Sequence, residues 1–231
     1  DGAGLTNLGK SPAHPSWALG IMGMPGFTAW AGLTQIGAPK PGETIAVAAA
    51  TGPVGATVGQ IGKILGCRVV GIAGGPEKCA YAVNELGFDA CIDHKADDFA
   101  EQLAKASPDG IDVYFENVGG PTGDAAMRNL ALRARVVVCG FIAEYNLTEP
   151  YIGPSHLRHI LVSRASVHGI LVTDWLDRWP GGIARMAAWL KSGQITFKED
   201  TIDGLEAAPA GLIGLLEGKN SGKALVKVAE R

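Results

Sequence analysis

An apolar run, a glycine-containing turn and a helical stretch follow one another without a break early in the chain. Residues 45–50 read Ile-Ala-Val-Ala-Ala-Ala, Gly52 and Gly55 lie in the turn, and residues 58–65 are predicted to form a helix that ends at Gly66. Fully apolar strands of this kind are typical of parallel sheets that are covered by helices on both faces. The segment therefore predicts an α/β fold.

The same alternation of short β-branched runs and helical stretches continues along the chain. Further parallel strands are predicted at residues 68–73, 89–92, 111–115 and 135–139. Helices are predicted at residues 76–86 and 97–106, the second with Asp97 as its cap. Later elements are a strand at 167–172, a helix at 183–190 and a strand at 224–228. This order predicts a doubly wound parallel sheet of the Rossmann type.

The first 40 residues break this rhythm, since they are rich in proline and glycine. We expect a short N-terminal connector there, followed by a helix over the apolar stretch 27–36.

Composition limits the possible partners of the chain. Its 231 residues carry a net charge of −3, so no excess of lysine and arginine favours nucleic-acid binding. No run of about 18 apolar residues predicts a membrane span. The four cysteines are scattered without a C-x-x-C pair, so neither a zinc site nor a disulfide framework is expected. A reducing cytoplasm fits this pattern best.

The glycine turn has the chemistry of a nucleotide site. At Gly52, Pro53, Val54 and Gly55, small side chains let the backbone approach a pyrophosphate, and the helix N-terminus supplies free N–H groups. The full G-x-G-x-x-G pattern is absent because Ala50 stands at its first glycine. A tight strand–helix turn without a ligand therefore remains the alternative interpretation.

The end of the second predicted strand indicates which dinucleotide would bind. Residues 73–78 read Ala-Gly-Gly-Pro-Glu-Lys, and no carboxylate directly follows the strand to bind the ribose 2′-hydroxyl of NAD. Lys78 lies within reach of a 2′-phosphate, which favours NADP(H). The alternative is a solvated lysine beside Glu77.

Two more glycine clusters follow predicted strands, at residues 117–121 and 139–142. Ligands of open α/β sheets bind outside the carboxyl ends of the strands, so both clusters lie on the expected edge. Either cluster could also be a simple strand–helix turn.

Six segments, in this order along the chain, resemble one known family. They are Gly23–Trp30, Ala49–Gly55, Gly74–Lys78, Glu116–Gly120, Cys139–Tyr145 and Gly218–Lys223. Together they are similar to the zinc-independent double-bond reductases of the medium-chain dehydrogenase/reductase superfamily. The nearest group contains the prostaglandin reductases, alkenal reductases and bacterial curcumin reductases, and the resemblance covers nearly the whole chain.

The resemblance implies that NADPH reduces the C=C bond of an α,β-unsaturated ketone or aldehyde, without a metal. Hydride would reach the β-carbon and a proton the α-carbon. The implied cofactor-binding residues are Gly52, Pro53, Val54, Gly55, Gly74, Lys78, His94, Asn117, Cys139, Gly140, Phe141, Ile142, Tyr145, Ile170, Leu171, Val172 and Asn220. Tyr145 is also the candidate catalytic residue, because its hydroxyl could hydrogen-bond the substrate carbonyl; packing or a ribose contact is the alternative. His94 stands where family members often carry tyrosine, and a surface histidine is its alternative role.

The resemblance also implies a domain organisation. Residues 1–22 would be the linker from a catalytic domain, and residues 23–231 an NADP-binding domain with a C-terminal return segment. We expect the chain alone to bind NADPH and to reduce enones poorly or not at all. A homodimer through the edge strand at 167–172 is also expected. An NADPH quinone reductase and a non-catalytic NADPH-binding module remain alternative functions.

Overall fold

The computed structural model describes residues 7–9 and 13–228, and in them six strands form one sheet. The strands are β1 (Thr44–Ala48), β2 (Arg68–Ala73), β3 (Ala90–Asp93), β4 (Ile111–Glu116), β5 (Leu130–Val138) and β6 (Ser166–Gly169). They lie in the order β3-β2-β1-β4-β5-β6, and each neighbouring pair is parallel. The predicted doubly wound sheet is confirmed, and its strand order changes direction between β1 and β4. The remaining parts of the predicted connector and C-terminal segment, at residues 1–6, 10–12 and 229–231, lie outside the described residues.

Helices cover both faces of the sheet. They are α1 (Met24–Ala31), α2 (Pro53–Ile64), α3 (Pro76–Asn84), α4 (Phe99–Ala106), α5 (Gly120–Arg128), α6 (Leu157–Ser163), α7 (Trp179–Lys191) and α8 (Ala208–Leu216). Alternate residues of β1 point to opposite faces: Ile45 and Val47 pack with α1, α2, α3 and α7, whereas Ala46 and Ala48 pack with α4, α5 and α6. Both faces of the sheet are therefore buried, as the apolar strands predict.

Several predicted boundaries are wrong for local physical reasons. The helix predicted at 58–65 begins five residues earlier, at Pro53, because proline is well suited to the first helical position. Asp97 does not cap α4. Asp98 lies at the N-cap position, and its carboxylate accepts a hydrogen bond from the Gln102 amide at 2.6 Å instead of capping the helix.

Three other elements also differ from their predictions. The helix predicted at 27–36 is α1 followed by a π-helical turn over Gly32–Gly37. Strand β5 begins at Leu130, and its register against β4 shifts near Arg133, whose φ is +61°. The strand predicted at 167–172 ends at Gly169, because β5 ends at Val138 and offers no further partner beyond the Ile170 N–H bond to the Val138 carbonyl.

The C-terminal segment forms a second, small β-α-β unit, of which the sequence analysis predicted only the last strand, at 224–228. Strands β7 (Glu199–Asp203) and β8 (Lys223–Lys227) pair in parallel, with α8 between them in the chain. The Gln60 side chain of α2 accepts from the Thr196 N–H at 2.8 Å and donates to the Thr196 carbonyl at 2.9 Å. The buried amide thereby fastens the start of this unit to the helix that follows the glycine turn.

Three glycines let α2 pack closely on the sheet. A Cβ at Gly55 would lie 2.3 Å from the Ala49 carbonyl oxygen, and one at Gly62 would lie 2.7 Å from the Ile45 side chain. A Cβ at Gly59 would overlap the Phe88 ring, at 1.9 Å from its nearest carbon. These glycines are needed for packing whether or not a ligand binds, so their presence alone does not identify a nucleotide site.

We expect Gly59→Ala to destabilise the domain by about 1–3 kcal/mol, because the new methyl group must displace a buried ring. The control is Gly181→Ala in α7, where the added Cβ meets no atom within 4 Å. That change should leave the free energy of unfolding unchanged or raise it by up to about 1 kcal/mol. Urea unfolding of both variants checks this, and a Gly59→Ala protein as stable as wild type would contradict the packing described here.

Candidate cofactor site

The residues predicted to bind the cofactor lie along the edge of the sheet that is formed by the carboxyl ends of the strands. His94 follows β3, Gly74 and Lys78 follow β2, and Gly52 to Gly55 follow β1. Beyond the change of direction, Asn117 follows β4, Cys139 to Tyr145 follow β5, and Ile170 to Val172 follow β6. Because all six strands are parallel, their carboxyl ends share this edge. Their order matches a dinucleotide that extends from its 2′-phosphate, over the glycine turn, to its nicotinamide.

The two glycines of the turn have different roles: Gly55 is needed for packing, whereas Gly52 is not. Gly55 has no room for a side chain, whereas a Cβ at Gly52 would meet nothing closer than the Ala49 oxygen at 3.3 Å. Gly52 caps α2 in an extended conformation, and Pro53 takes the first helical position. Val54 and Gly55 follow in the first turn, where backbone N–H groups have no acceptor inside the helix. These two N–H groups are therefore free to bind an anion such as a pyrophosphate.

The ends of β1 and β4 are joined across the change of strand order. The Asn117 amide donates to the Ala48 carbonyl at 2.8 Å. The buried Glu116 carboxylate accepts from the N–H groups of Val118 and Gly119 at 2.7 and 2.9 Å. Asn117 is thus held by its own side chain and by the turn that Glu116 closes.

Burial raises the pKa of Glu116 above its usual range, although the backbone N–H groups act in the opposite direction. Glu116 opens one of the six segments that resemble the family, but no role was predicted for this buried acid. Its backbone contacts appear only once the chain is folded.

Basic side chains gather where β2 and β3 end. The Nε2 atom of His94 lies 2.9 Å from the position of a Cβ on Gly74, and the Lys95 side chain lies 3.4 Å from the same position. Burial and repulsion by Lys95 lower the pKa of Lys78. Within the described residues, neither lysine forms an ion pair. The Asp93 carboxylate lies near His94 and Lys95, but it accepts hydrogen bonds from backbone N–H groups. Two ammonium groups that form no ion pair make a suitable site for a phosphate.

Two features of this basic cluster escaped the sequence analysis. Lys95 carries no motif of its own, and only the pairing of β3 with β2 brings it to Gly74. The Asp93 carboxylate accepts from the N–H groups of Gly75 and Lys95 at 2.9 and 3.0 Å, which fixes the turn. Gly75 has a φ of +97°, a conformation that side chains other than hydrogen disfavour.

Lys78 also contacts the C-terminal unit. Its ammonium donates to the Gly218 carbonyl at 2.7 Å, so the turn before β8 lies beside the basic cluster. An ammonium group has three donors, and two remain for a phosphate. Asn220 lies in the same turn, where its amide donates to the Gly222 carbonyl at 2.8 Å. The fold therefore brings the turn that contains Asn220 next to Lys78, and the Asn220 side chain stabilises that turn.

The loop after β5 carries the predicted catalytic residue. The Phe141 N–H donates to the Tyr145 hydroxyl at 3.2 Å, and that oxygen lies 2.9 Å from the position of a Cβ on Gly140. Tyr145 is 64% exposed, and because its hydroxyl oxygen is the acceptor in this bond, the O–H group can donate to solvent or a ligand. Phe141 and Ile142 are also exposed, while burial raises the pKa of the Cys139 thiol to about 11. Cys139 is consequently protonated and unreactive at neutral pH.

The residues after β6 divide between the core and the surface. Ile170 is buried against the face that carries α1 and α7, whereas Leu171 is 70% exposed and Val172 is half-buried. This alternation leaves Leu171 at the sheet edge beside the loop after β5.

Comparison with known proteins identifies the family of this chain. Residues 53–188 match the family profile described as zinc-binding dehydrogenase. The NADPH-dependent curcumin reductase of Escherichia coli K12 is 54% identical over 233 residues, which cover 99% of this chain and 68% of that relative. The chain belongs to the zinc-binding dehydrogenase family.

Two further similarities agree with this membership. The crystal structure of CurA from Vibrio vulnificus in complex with NADPH matches with a TM-score of 0.94 and 53% identity, over 98% of this chain and 69% of that chain. The 2-alkenal reductase (NADP(+)-dependent) of Nicotiana tabacum is 43% identical over 215 residues, 93% of this chain and 62% of the relative. The resemblance to the double-bond reductases of the medium-chain superfamily is confirmed.

The family description names zinc, so the possible metal ligands need to be considered. Within residues 7–9 and 13–228, no group of three or more His, Cys, Asp or Glu side chains could hold a metal ion. The donors in that part of the chain therefore do not fit a zinc site. Among the helices of the same residues, none combines the length and apolar character needed to cross a membrane.

Removing the basic cluster should weaken binding of NADPH but not of NADH. We expect Lys78→Ala to reduce the affinity for NADPH roughly tenfold, because a hydrogen bond to a charged group is lost, and Lys95→Ala to reduce it less. Lys105→Ala, an exposed lysine in the last turn of α4, is the matched control. Fluorescence titration of both cofactors checks this. Equal affinity of wild type for NADPH and NADH would remove the 2′-phosphate interpretation.

Glu116 should make the stability of the domain depend on pH. Its folded pKa is raised above the ordinary value of 4.5, so its stabilising contribution is complete below that pH and is lost as pH rises through the folded pKa. In Glu116→Gln the amide oxygen can still accept from the turn, and no charge develops. The free energy of unfolding of this variant, relative to wild type, should therefore increase between acid and neutral pH. If the difference in free energy of unfolding between variant and wild type stays constant across this pH range, ionisation of Glu116 does not destabilise the folded domain.

Proposed function

We propose that this chain provides the NADP(H)-binding part of an enzyme that reduces the C=C bond of α,β-unsaturated ketones and aldehydes. One observation carries the proposal: the strand-end residues follow one another along a single sheet edge in the order that an NADP dinucleotide requires. The 54% identity to a curcumin reductase named as NADPH-dependent supports the choice of cofactor and reaction.

Three groups of residues would hold the cofactor. Lys78, His94 and Gly74 would receive the 2′-phosphate, and Gly52 to Gly55 the pyrophosphate. Asn117, the segments Cys139–Ile142 and Ile170–Val172, and Tyr145 would surround the ribose and nicotinamide, with Asn220 closing the adenosine side from the C-terminal unit. When bound, NADPH supplies a hydride, which is transferred to the β-carbon of the substrate.

Tyr145 is proposed as the catalytic residue. Its exposed hydroxyl would donate a hydrogen bond to the substrate carbonyl, which carries the negative charge of the enolate after hydride transfer. The bond from the Phe141 N–H fixes the position of the hydroxyl oxygen while leaving its proton available. Protonation of the α-carbon then completes the reduction.

The remaining features of the proposal concern organisation. We assign residues 1–22 to a linker from a catalytic domain and residues 23–231 to the NADP-binding domain with its return segment. The enzyme would act without zinc, in the cytoplasm. It would be a homodimer, for which the edge position of β6 and the exposed apolar side chains Leu157, Leu161 and Val162 of α6 provide support.

A hybrid enzyme tests the proposed reaction. Residues 1–231 replace the aligned part of the Escherichia coli curcumin reductase, and oxidation of NADPH is followed with an enone, a 2-alkenal and a quinone. We expect reduction of the enone and alkenal, and we expect Tyr145→Phe to lower kcat/KM on the order of tenfold to a hundredfold, since one hydrogen bond to the developing enolate is lost.

The outcomes distinguish the alternative functions. Faster turnover of the quinone would favour a quinone reductase, and saturable NADPH binding without hydride transfer would favour a non-catalytic module. In Tyr145→Phe the fall in kcat should exceed any fall in the affinity for NADPH, because the lost hydrogen bond is strongest to the enolate that forms during the reaction.

A further inference from the structure

Asp124 holds two side chains of the segment that follows the loop with Tyr145. The Tyr151 hydroxyl donates to one carboxylate oxygen of Asp124 at 2.6 Å. The Nε2 atom of His156 lies 2.6 Å from the other oxygen, and donation from the Nε2–H tautomer satisfies it. Asp124 lies in α5 and is half-buried, so both oxygens of a fixed carboxylate are used by the same segment.

Little else holds this segment in place. Every residue from Tyr145 to Ser155 is exposed. Among the described residues, the side-chain hydrogen bonds that join residues 148–156 to the rest of the domain are the two that end on Asp124. Hydrogen bonds to an ionised carboxylate are stronger than neutral ones, so these two contacts dominate the placement of the segment.

A cavity under the loop increases the importance of these contacts. It has a volume of about 270 Å³ and lies between the loop, α5 and the strands β4 to β6, with Phe141, Val136 and Gly123 among its walls. Side chains that line a cavity lack packing partners on one side, so apolar contacts contribute less to the loop position here than over a filled core. Hydrogen bonds to Asp124 supply the missing constraint.

The first part of the loop, residues 142–144, is hydrogen-bonded to the turn before α5 and to the first residue of that helix. The Ile142 N–H donates to the Asn117 carbonyl at 3.2 Å, and the Ala143 N–H donates to the Val118 carbonyl at 3.0 Å. The Gly120 N–H, at the start of α5, donates to the Glu144 carboxylate at 3.2 Å. Helix α5 therefore holds both ends of the loop, at its first residue and at Asp124, and Tyr145 lies between these two points.

We propose that Asp124 is a positioning residue that sets the loop carrying Tyr145 against the nicotinamide end of the bound cofactor. It acts through Tyr151 and His156 and does not contact the cofactor itself. The inference rests on the proposed function, because that function assigns residues 139–145 to the nicotinamide half of the site. The adenosine half, at Lys78 and Gly74, belongs to the opposite end of the sheet edge and does not depend on Asp124.

The test compares two ligands of the 231-residue chain. NADPH fills the whole site, and adenosine 2′,5′-bisphosphate fills only the adenosine half. Asp124→Ala should weaken NADPH binding roughly three- to tenfold, since two hydrogen bonds to a charged group are lost and part of their effect reaches the ligand. Binding of adenosine 2′,5′-bisphosphate should stay unchanged, and hydrogen exchange should increase in residues 139–156 alone.

Two variants serve as controls. Asp124→Asn keeps an acceptor for Tyr151 and a donor for the other His156 tautomer, so it should restore most of the affinity for NADPH. Asp109→Ala removes an exposed aspartate from the turn before β4, at the amino ends of the strands. This variant should bind both ligands with the affinity of wild type.

The results separate this inference from the proposed function. Unchanged NADPH affinity in Asp124→Ala, with wild type binding normally, would overturn the positioning role. An equal loss for both ligands would also overturn it, because that pattern indicates general destabilisation. Failure of wild type to bind NADPH at all would contradict the proposed function itself.

Discussion

The close contact between α2 and the strands β1 and β2 is the constraint on which the site depends. Gly55, Gly59 and Gly62 line one side of the helix, and at each of them a Cβ would collide with the sheet or with Phe88. Because this helix lies so near the sheet, its N-terminus sits directly above the end of β1. The same approach also brings Gln60 to Thr196, so the C-terminal unit is held by the helix that presents the glycine turn.

Charge divides the site edge into two parts. At the ends of β2 and β3, His94 and Lys95 lie beside Gly74, and Lys78 is close enough for repulsion by Lys95 to lower its pKa. Within the described residues no ion pair neutralises the two lysines. At the end of β4, the acid is Glu116, which is buried and bound to backbone N–H groups. A dianionic group is therefore favoured at one end, while the middle of the edge is shaped by hydrogen bonds. This arrangement suits a ligand with a phosphate at one end only.

The segments at the carboxyl ends of the strands also differ in how deeply they are buried. The glycine turn and the basic cluster rest on buried helices and strands, whereas the loop with Tyr145 is exposed and lies over a cavity. Segments with few buried contacts open most easily. Hydrogen bonds to Asp124 provide a limited restraint, since they fix the far end of the loop, at Tyr151 and His156, and leave its exposed centre free.

The parallel sheet, and the strand ends at which a ligand is expected, could be predicted from local sequence patterns. Apolar β-branched runs separated by glycine turns specify these features locally, which explains why β2 has the predicted bounds at Arg68–Ala73. The order of the family motifs added the predicted cofactor-binding residues, of which Gly52 is the first and Asn220 the last; these stay predictions. Element boundaries were less predictable: α2 begins before its apolar stretch, and β6 ends where its partner strand ends.

Contacts between segments that are distant in the chain could not be predicted and became visible only in the folded structure. Lys95 reaches Gly74 through strand pairing, Lys78 reaches Gly218 across 140 residues, and Asp124 reaches Tyr151 and His156 through the fold of an exposed loop. Helix α8 and the pairing of β8 with β7 also became visible only in the fold. These contacts depend on which surfaces meet after the sheet has formed, and no local pattern of apolar and polar residues encodes them. The glycine turn is a local motif, but its surroundings are a property of the whole fold.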